Sequence, residues 1–209
     1  MNRGLFVSFE GGDGAGKSTQ VAALVQWLQG LGRTVVRTFE PGGTELGAVL
    51  RQAVQHGTDL APRTEALLYA ADRAHHVATV VRPALERGDD VVTDRYLDSS
   101  VAYQGAGRGL GTDTVERLSA WATQGLLPDL TVLLDLDPVQ GLARLTGTPD
   151  RMESAGTAFH RQVREAFVAR AAGDPGRFVV LDARCAPEVT AAAVREHVAA
   201  LLPGPAVTT

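Results

Sequence analysis

The sequence predicts an α/β fold in which a five-stranded parallel sheet lies between two layers of helices. Short runs rich in Val, Leu and Phe alternate with longer segments whose apolar residues recur at helical spacing, as in chains built from βα units. A glycine-rich turn separates the first of these runs from the first helical segment. No linker-like stretch divides the 209 residues, so we expect one domain spanning 1–209.

Each predicted strand is an apolar run short enough to be a buried strand. The five runs are 5–10, 34–39, 90–94, 130–136 and 177–182. The predicted helices lie between them, at 17–30, 45–55, 63–87, 113–124, 138–145, 157–172 and 187–201. Pro62 and Pro187 suit the first turn of a helix, and Asp137 can cap the helix that opens with Pro138. Three glycine-bearing stretches fall outside this framework, at 40–45, 104–111 and 146–156, and we expect the tail 203–209 to be disordered.

Composition narrows the class of protein. A net charge of -4 is opposite in sign to the surface of most nucleic-acid-binding proteins, so we expect no nucleic-acid partner. No apolar run approaches the ~20 residues that cross a bilayer, so we expect no membrane partner. Cys185 is the only cysteine and cannot form an internal disulfide, which fits a cytoplasmic location.

Residues 9–19, FEGGDGAGKST, predict a phosphate-binding loop. The pattern G-x-x-x-x-G-K-[ST] stands between a predicted strand and a predicted helix, which is the context that gives it meaning. Glycines let successive N–H groups turn toward phosphate oxygens at a helix N-terminus. Lys17 is the only lysine among 20 Lys and Arg residues, and a compact ammonium fits inside such a loop better than a planar guanidinium does.

The loop therefore predicts a P-loop NTPase fold that binds a nucleoside triphosphate, which the family resemblance described below implies to be ATP. The predicted ATP-binding residues of the loop are Gly11, Gly12, Asp13, Gly14, Ala15, Gly16, Lys17, Ser18 and Thr19.

Acidic residues at the ends of two predicted strands are candidates for a magnesium site. Asp94 ends the third strand, where ligands of doubly wound sheets bind, and Ser18 can place its hydroxyl on Mg²⁺. Asp135 and Asp137, in LLDLD, compete for the same role. We favour Asp94 with Ser18, because Asp137 is expected to cap a helix and Asp135 can be structural. Arg95, which follows Asp94, can hold a phosphate with its forked guanidinium.

Tyr69 and Arg73 are a candidate pair for binding a nucleobase. They lie four residues apart on a predicted helix and so share a face. An aromatic plane can stack on a base while a forked donor bonds its edge. The alternative is a core tyrosine beside a solvated arginine, which is the commoner meaning of such a pair.

Five segments together resemble one known family. FEGGDGAGKST, FEPGGTELG, YAADRAHHV, DRYLDSSVAYQGAGRG and PDLTVLLDLDPVQGLAR occur in the order found in bacterial thymidylate kinases, and the resemblance covers nearly the whole chain. It implies transfer of the γ-phosphoryl group of ATP to dTMP in a homodimer that pairs helices. It also implies that Tyr69 stacks on thymine, that Arg73 bonds the base edge and that Arg95 holds the acceptor phosphate.

Further residues match acceptor-site positions of the family. The resemblance implies that Asp13 lies near the 3'-hydroxyl of the deoxyribose and that Tyr103 crowds the C2' position. Glu40 lies in the EPGGT turn, which lines the site in the family. The remaining matches to the acceptor site are Arg51, Ser100 and Gln104.

Members of this family differ in where a catalytic arginine lies, either inside the phosphate loop or in a lid. Position 14 is Gly, so the resemblance implies the lid type, with the lid at about 144–156. The segment ARLTGTPDR holds only Arg144 and Arg151, fewer basic residues than such lids usually show. We predict that Arg151 reaches the transferring phosphoryl group and that Arg144 lies near the ATP.

The predicted reaction is direct phosphoryl transfer from ATP to dTMP with Mg²⁺ and without a phosphoenzyme. The predicted catalytic residues are Asp13, Lys17, Asp94, Arg95 and Arg151. A kinase for another nucleoside monophosphate on the same fold is the main alternative. A GTPase-type switch is disfavoured, because such proteins normally carry N-K-x-D and Asn2 is the only asparagine here.

Overall fold

A computed structural model of the protein describes residues 3–57, 59–146 and 150–202. All five predicted strands are present: β1 (Phe6–Glu10), β2 (Val35–Phe39), β3 (Asp90–Asp94), β4 (Leu130–Asp135) and β5 (Phe178–Asp182). They form one parallel sheet in the order β2-β3-β1-β4-β5. From β1 the chain continues to β2 on one side of the sheet, and from β3 it continues to β4 on the other side. The loops that follow β1 and β3 therefore diverge at the carboxyl edge, where such sheets bind ligands.

Helices cover both faces of this sheet. They are α1 (Lys17–Gly30), α2 (Glu45–His56), α3 (Pro62–His76), α4 (Arg82–Glu86), α5 (Leu97–Ser100), α6 (Thr112–Thr123), α7 (Pro138–Ala143), α8 (Thr157–Gly173) and α9 (Pro187–Ala199). A π-helical turn, Val77–Val81, joins α3 to α4, so the long helix predicted at 63–87 is continuous. A short 3-10 turn, Glu153–Ala155, lies near the end of the region predicted as the lid.

The prediction of irregular structure at 104–111 is wrong for its first part. Helix α5 continues as a π-helix over Val101–Gly107. Glycine in a helix costs about 1 kcal/mol relative to alanine, which is why the sequence pattern argued against one here. A Cβ at Gly107 would lie 2.6 Å from Cε2 of Phe159 on α8, so this glycine allows close helix packing rather than a turn.

The core explains the layered arrangement. Val7 and Phe9 of β1 pack with Leu24 and Leu28 of α1 on one face of the sheet. Phe6 of the same strand points the other way, into the cluster beneath the α3–α4 segment. Alternation along buried strands therefore builds the three-layer α/β/α fold that the sequence predicts.

Two predictions lie partly or wholly outside the described residues. These are the disordered tail, 203–209, and the middle of the lid, 147–149. Across the part of the chain that the structure describes, no helix has both the length and the apolar composition that crossing a bilayer requires.

Candidate active site

The loop between β1 and α1 has the geometry of an anion-binding turn. Helix α1 begins at Lys17 directly after Gly16, whose φ of 91° lies in the left-handed region that glycine favours. In the described part of the chain, no side chain caps this helix N-terminus. The first N–H groups of α1 therefore face the cleft as donors, at the positive end of the helix dipole.

Gly14 shows why this loop carries no side chain at its tip. Its φ is 73°, and a Cβ there would lie 2.0 Å from the carbonyl oxygen of Gly141 in α7. The loop is thus packed against α7 by backbone alone. An arginine at position 14 would require α7 to move. This gives a physical reason for the glycine at position 14, on which the lid-type prediction is based.

Lys17 lies inside the loop. Its side chain is only 7% exposed, and its ammonium donates to the carbonyl oxygens of Gly12 at 2.8 Å and Gly11 at 3.1 Å. Burial and the positive charge of Arg95 lower the pKa of Lys17 to about 8. The charge of this lysine is therefore sensitive to what occupies the loop.

The three competing aspartates have different partners. Asp94 accepts a hydrogen bond from Ser18, with 2.7 Å between Oγ and Oδ2. Asp135 accepts two hydrogen bonds from Arg164, at 2.6 and 2.8 Å, and Asp137 caps α7 through the N–H of Val139 at 2.9 Å. Ser18 and Asp94 thus bring a hydroxyl and a carboxylate together in the cleft, a pair of hard oxygen donors that fits Mg²⁺.

Arg95 anchors a network at the centre of the site. One of its terminal nitrogens donates to Asp13 and to the hydroxyl of Tyr103, and the other donates to Ser99 at 3.0 Å and to the carbonyl of Gly11 at 3.1 Å. The hydroxyl of Tyr103 donates to Asp13 at 3.1 Å. Burial acts to raise the pKa of Asp13, but Arg95 and Lys17 outweigh it and hold that pKa below its usual value.

The backbone of Arg95 is strained. Its φ of 69° is in the left-handed region, which costs a non-glycine residue about 1–3 kcal/mol. The N–H of Arg95 bonds the carbonyl of Phe9 at 2.9 Å, which helps to hold this conformation. This backbone conformation directs the guanidinium of Arg95 back toward the loop that follows β1.

One pocket brings together most of the predicted acceptor-site residues. Its predicted members are Asp13, Glu40, Tyr69, Arg73, Arg95, Ser100, Tyr103 and Gln104. Tyr96, Ser99, Asp150 and Met152 also line it, and sequence reasoning missed these four. Tyr96 and Ser99 could have been suspected from their place in DRYLDSS, whereas Met152 reaches the pocket only through the path of the lid segment.

Arg73 is not solvated, so the alternative of a surface arginine is wrong. It is 2% exposed, and its Nε donates to Glu40 at 2.8 Å. Its terminal nitrogens donate to Ser119 at 3.3 Å, Ser100 at 3.0 Å and the carbonyl of Tyr96 at 3.3 Å. These contacts fix the guanidinium in the wall of the pocket.

Glu40 is the buried counter-charge of this wall. Its second oxygen is 2.8 Å from Nδ1 of His76, whose Nε2 in turn lies 2.6 Å from the hydroxyl of Thr38. His76 therefore orients the carboxylate that orients Arg73. Nothing local in the sequence indicates this role of His76, because it arises only when β2 and α3 come together.

A larger open cleft adjoins the pocket and contains the phosphate loop. The loop residues that line it are Asp13, Gly14, Gly16, Lys17, Ser18 and Thr19, and Asp94, Arg51 and Arg144 line it as well. Arg51 donates to the carbonyl of Pro41 at 2.9 Å and lies in the cleft rather than in the smaller pocket. Arg144 donates to the carbonyls of Ala183 at 3.2 Å and Gly14 at 3.4 Å.

The structure does not bring Arg151 to the phosphate loop. Its Nε donates to the carbonyl of Val54 at 3.0 Å, and its Nη2 lies 2.6 Å from Oε2 of Glu65 on α3. The alignment of that last contact is not that of a hydrogen bond, so it is an ion pair without directional bonding. The second half of the predicted lid, from residue 150, folds back onto α2 and α3, and this directs Arg151 away from the position predicted for it.

Comparison with known proteins agrees with this geometry. The thymidylate kinase family model matches residues 9–194. A thymidylate kinase from Leifsonia xyli subsp. xyli is 62% identical over 196 residues, covering 92% of this chain and 93% of its own length. One from Clavibacter michiganensis subsp. michiganensis is 57% identical over 203 residues, with coverages of 95% and 96%. The crystal structure of thymidylate kinase from Ehrlichia chaffeensis superposes with a TM-score of 0.80 at 28% identity, covering 94% of this chain and 99% of that one. By sequence and by fold, the chain belongs to the thymidylate kinase family.

Proposed function

We propose that this protein transfers the γ-phosphoryl group of ATP to dTMP, giving ADP and dTDP. The observation that carries the proposal is the continuity of the cleft and the pocket at the carboxyl edge of the sheet. Both are lined by Asp13, Glu40 and Arg95. A triphosphate in the loop and a monophosphate in the pocket would therefore meet beside Arg95.

The donor side is built from the phosphate loop. The loop N–H groups and Lys17 would bind the outer phosphates of ATP. Ser18 and Asp94 would hold Mg²⁺, whose charge offsets that of the phosphates. Of the two arginines at the ends of the lid stretch, Arg144 contacts the loop, and we therefore assign the donor-side role to it rather than to Arg151.

The acceptor side is built from α3 and from the α5–π-helix segment. Tyr69, Arg73 and Gln104 would contact the thymine ring and its edge. Asp13 and Tyr103, which bond each other, would face the deoxyribose. Arg95 would hold the phosphate. Glu40 and Ser100 support Arg73 through hydrogen bonds, and Arg51 lies on the wall of the cleft.

In the transfer, an oxygen of the dTMP phosphate attacks the γ-phosphorus as the bond to the β–γ bridging oxygen breaks. The electron pair of that bond leaves with ADP. The attacking phosphate oxygen is already ionised, so no protein base or nucleophile is required. The work of the protein is to hold two anions in line, and Lys17 and Arg95 provide positive charge for this.

A substrate panel tests the proposal. ADP formation is measured with ATP and each of dTMP, dUMP, dCMP, dGMP and AMP. We expect the highest kcat/KM with dTMP. A higher value with another monophosphate would make this a kinase of that nucleotide, and an absence of ADP formation with dTMP would contradict the proposed reaction.

We also propose that the protein is one kinase domain over 1–209 and acts as a homodimer in the cytoplasm. Large apolar side chains are exposed on the adjoining helices α2, α3 and α6, including Val49 at 65%, Leu67 at 58% and Trp121 at 79%. Pairing these helices between two copies would bury them. Sedimentation equilibrium tests this, and a monomeric mass at micromolar concentration would contradict it.

A further inference from the structure

Glu65 forms a second buried network next to the base pocket. It lies on α3 with its side chain fully buried. Its Oε1 accepts a hydrogen bond from Nε2 of Gln104 at 2.9 Å and one from Nε of Arg108 at 3.3 Å. Its Oε2 lies 2.6 Å from Nη2 of Arg151. The carboxylate is thus shared by one amide and two guanidinium groups.

The contact with Glu65 determines which end of the Gln104 amide enters the pocket. An ionised carboxylate only accepts hydrogen bonds, so the NH₂ of Gln104 must face Glu65. The amide oxygen of Gln104 consequently faces the other way. Within the described residues this oxygen has no hydrogen-bond partner, and Gln104 is one of the residues that line the pocket.

The guanidinium of Arg73 supplies a hydrogen-bond donor, which complements this acceptor. Arginine has five N–H donors, and the contacts of Arg73 with Glu40, Ser119, Ser100 and the carbonyl of Tyr96 use four of them. One N–H on Nη1 is left. Both side chains line the pocket, so its wall holds one unused donor of Arg73 and one unused acceptor of Gln104.

We propose that Glu65 is a positioning residue for base specificity, which orients Gln104 so that the pocket accepts an imide edge and rejects an amidine edge. Thymine and uracil present a carbonyl oxygen and the N3–H, which match this donor and acceptor. Cytosine presents an amino group and an unprotonated N3, which mismatch both. A free Gln104 amide could turn to suit either base, so the selectivity depends on Glu65. This inference rests on the proposed function.

The two arginines make the arrangement possible. A buried carboxylate is stable only when it is paired and hydrogen-bonded, and Arg108 and Arg151 supply that pairing. Arg151 comes from the second half of the predicted lid. Arg151 was predicted to reach the transferring phosphoryl group. Here it instead supports base recognition by pairing with Glu65.

The experiment replaces Glu65 with Gln and measures kcat/KM for dTMP, dUMP and dCMP. The amide of Glu65→Gln can accept or donate, so it no longer dictates the orientation of Gln104. We expect the dTMP/dCMP ratio of kcat/KM to fall by about tenfold or more, the size of a lost hydrogen-bond match. The dTMP/dUMP ratio should stay within about twofold, because both bases have the same imide edge. Glu116→Gln, a matched change at an exposed ion pair on α6, should leave both ratios unchanged.

A double-mutant cycle separates positioning from general support. Gln104→Ala alone should also lower the dTMP/dCMP ratio, and Glu65→Gln added to it should cause no further change in that ratio. An equal loss of activity with all three nucleotides, or an unchanged dTMP/dCMP ratio in Glu65→Gln, would overturn the inference. If Glu65→Gln does not fold, Glu65→Asp keeps the charge but withdraws it from Gln104 and should give the same change in ratio. Failure of the proposed function is distinct, since the unmodified protein would then not phosphorylate dTMP.

Discussion

Arg95 and Asp13 form an ion pair that joins the ends of two neighbouring strands, because Asp13 follows β1 and Arg95 follows β3. Tyr103 bonds both partners. Loop, strand end and π-helix therefore meet in one network between the phosphate loop and the base pocket. The proposed transfer takes place beside this network, and its charges lead to the predictions below.

Replacing Lys17 with Met tests the donor side. The change removes a charge placed where the transferring group would lie, and we expect kcat to fall by about 10²-fold or more. The melting temperature should be kept or raised, because the buried ammonium carries a desolvation cost. Near-normal turnover in a folded variant would refute the role of Lys17.

The lowered pKa of Lys17 predicts a pH dependence of ATP binding. Bound phosphates favour the ammonium, whereas the free protein loses this proton as pH rises through about 8. Below pH 8 the lysine is already charged and affinity should change little. Above pH 8, binding must take up a proton, so the affinity should fall by up to about tenfold per pH unit. Calorimetry at pH 9 in buffers of different ionisation enthalpy measures that uptake, and Lys17→Met should abolish it. A constant affinity from pH 7 to 10 would contradict the assignment.

Replacing Arg73 with Ala should affect the acceptor and the fold together. The change removes a donor from the base pocket and leaves the buried Glu40 carboxylate without its Nε partner. We expect the KM for dTMP to rise by at least about tenfold with the KM for ATP nearly unchanged. The free energy of unfolding should fall by about 3–5 kcal/mol, the usual cost of breaking a buried pair. Equal losses for both substrates would point to general disruption, and an unchanged unfolding midpoint in urea would contradict the described burial.

Arg144 and Arg151 lie beside different parts of the site, so we expect their removal to affect different substrates. Arg144→Ala should lower kcat or raise the KM for ATP, because Arg144 contacts the phosphate loop. Arg151→Ala should act mainly on the KM for dTMP, because Arg151 pairs with Glu65 beside the base pocket. Steady-state kinetics with each substrate varied in turn measures both. A loss of kcat in Arg151→Ala at saturating concentrations of both substrates would restore the role that its place in the sequence suggests.

Much of the fold could be predicted because the apolar pattern that is typical of a strand or a helix continues over several residues of each element. The strand predicted at 5–10 is observed at Phe6–Glu10, and the helix predicted at 17–30 is observed at Lys17–Gly30 after the glycine turn. The π-helix of Val101–Gly107 could not be predicted, because its glycines argue locally against a helix and only packing on α8 outweighs them.

The site was predictable where a residue type follows from chemistry and unpredictable where its partner follows from folding. The lysine of the loop and the aspartate at the end of β3 belong to the first kind. Arg151 belongs to the second, because an arginine near a lid can turn toward either substrate. The buried carboxylate of Glu65 is equally hidden, since nothing local in the sequence distinguishes it from a surface glutamate. Glu40 could be placed in the site through the EPGGT turn, but its contacts with Arg73 and His76 arise only from the fold.

A single-turnover experiment with ATP labelled in the γ-phosphoryl group tests the central claim most directly. Protein in excess is mixed with the labelled ATP, Mg²⁺ and dTMP, and the products are separated after quenching. The account predicts that the label appears in dTDP at the rate at which ADP forms and that no labelled protein accumulates. Label in inorganic phosphate alone, or bound to the protein, would contradict direct transfer between the two sites.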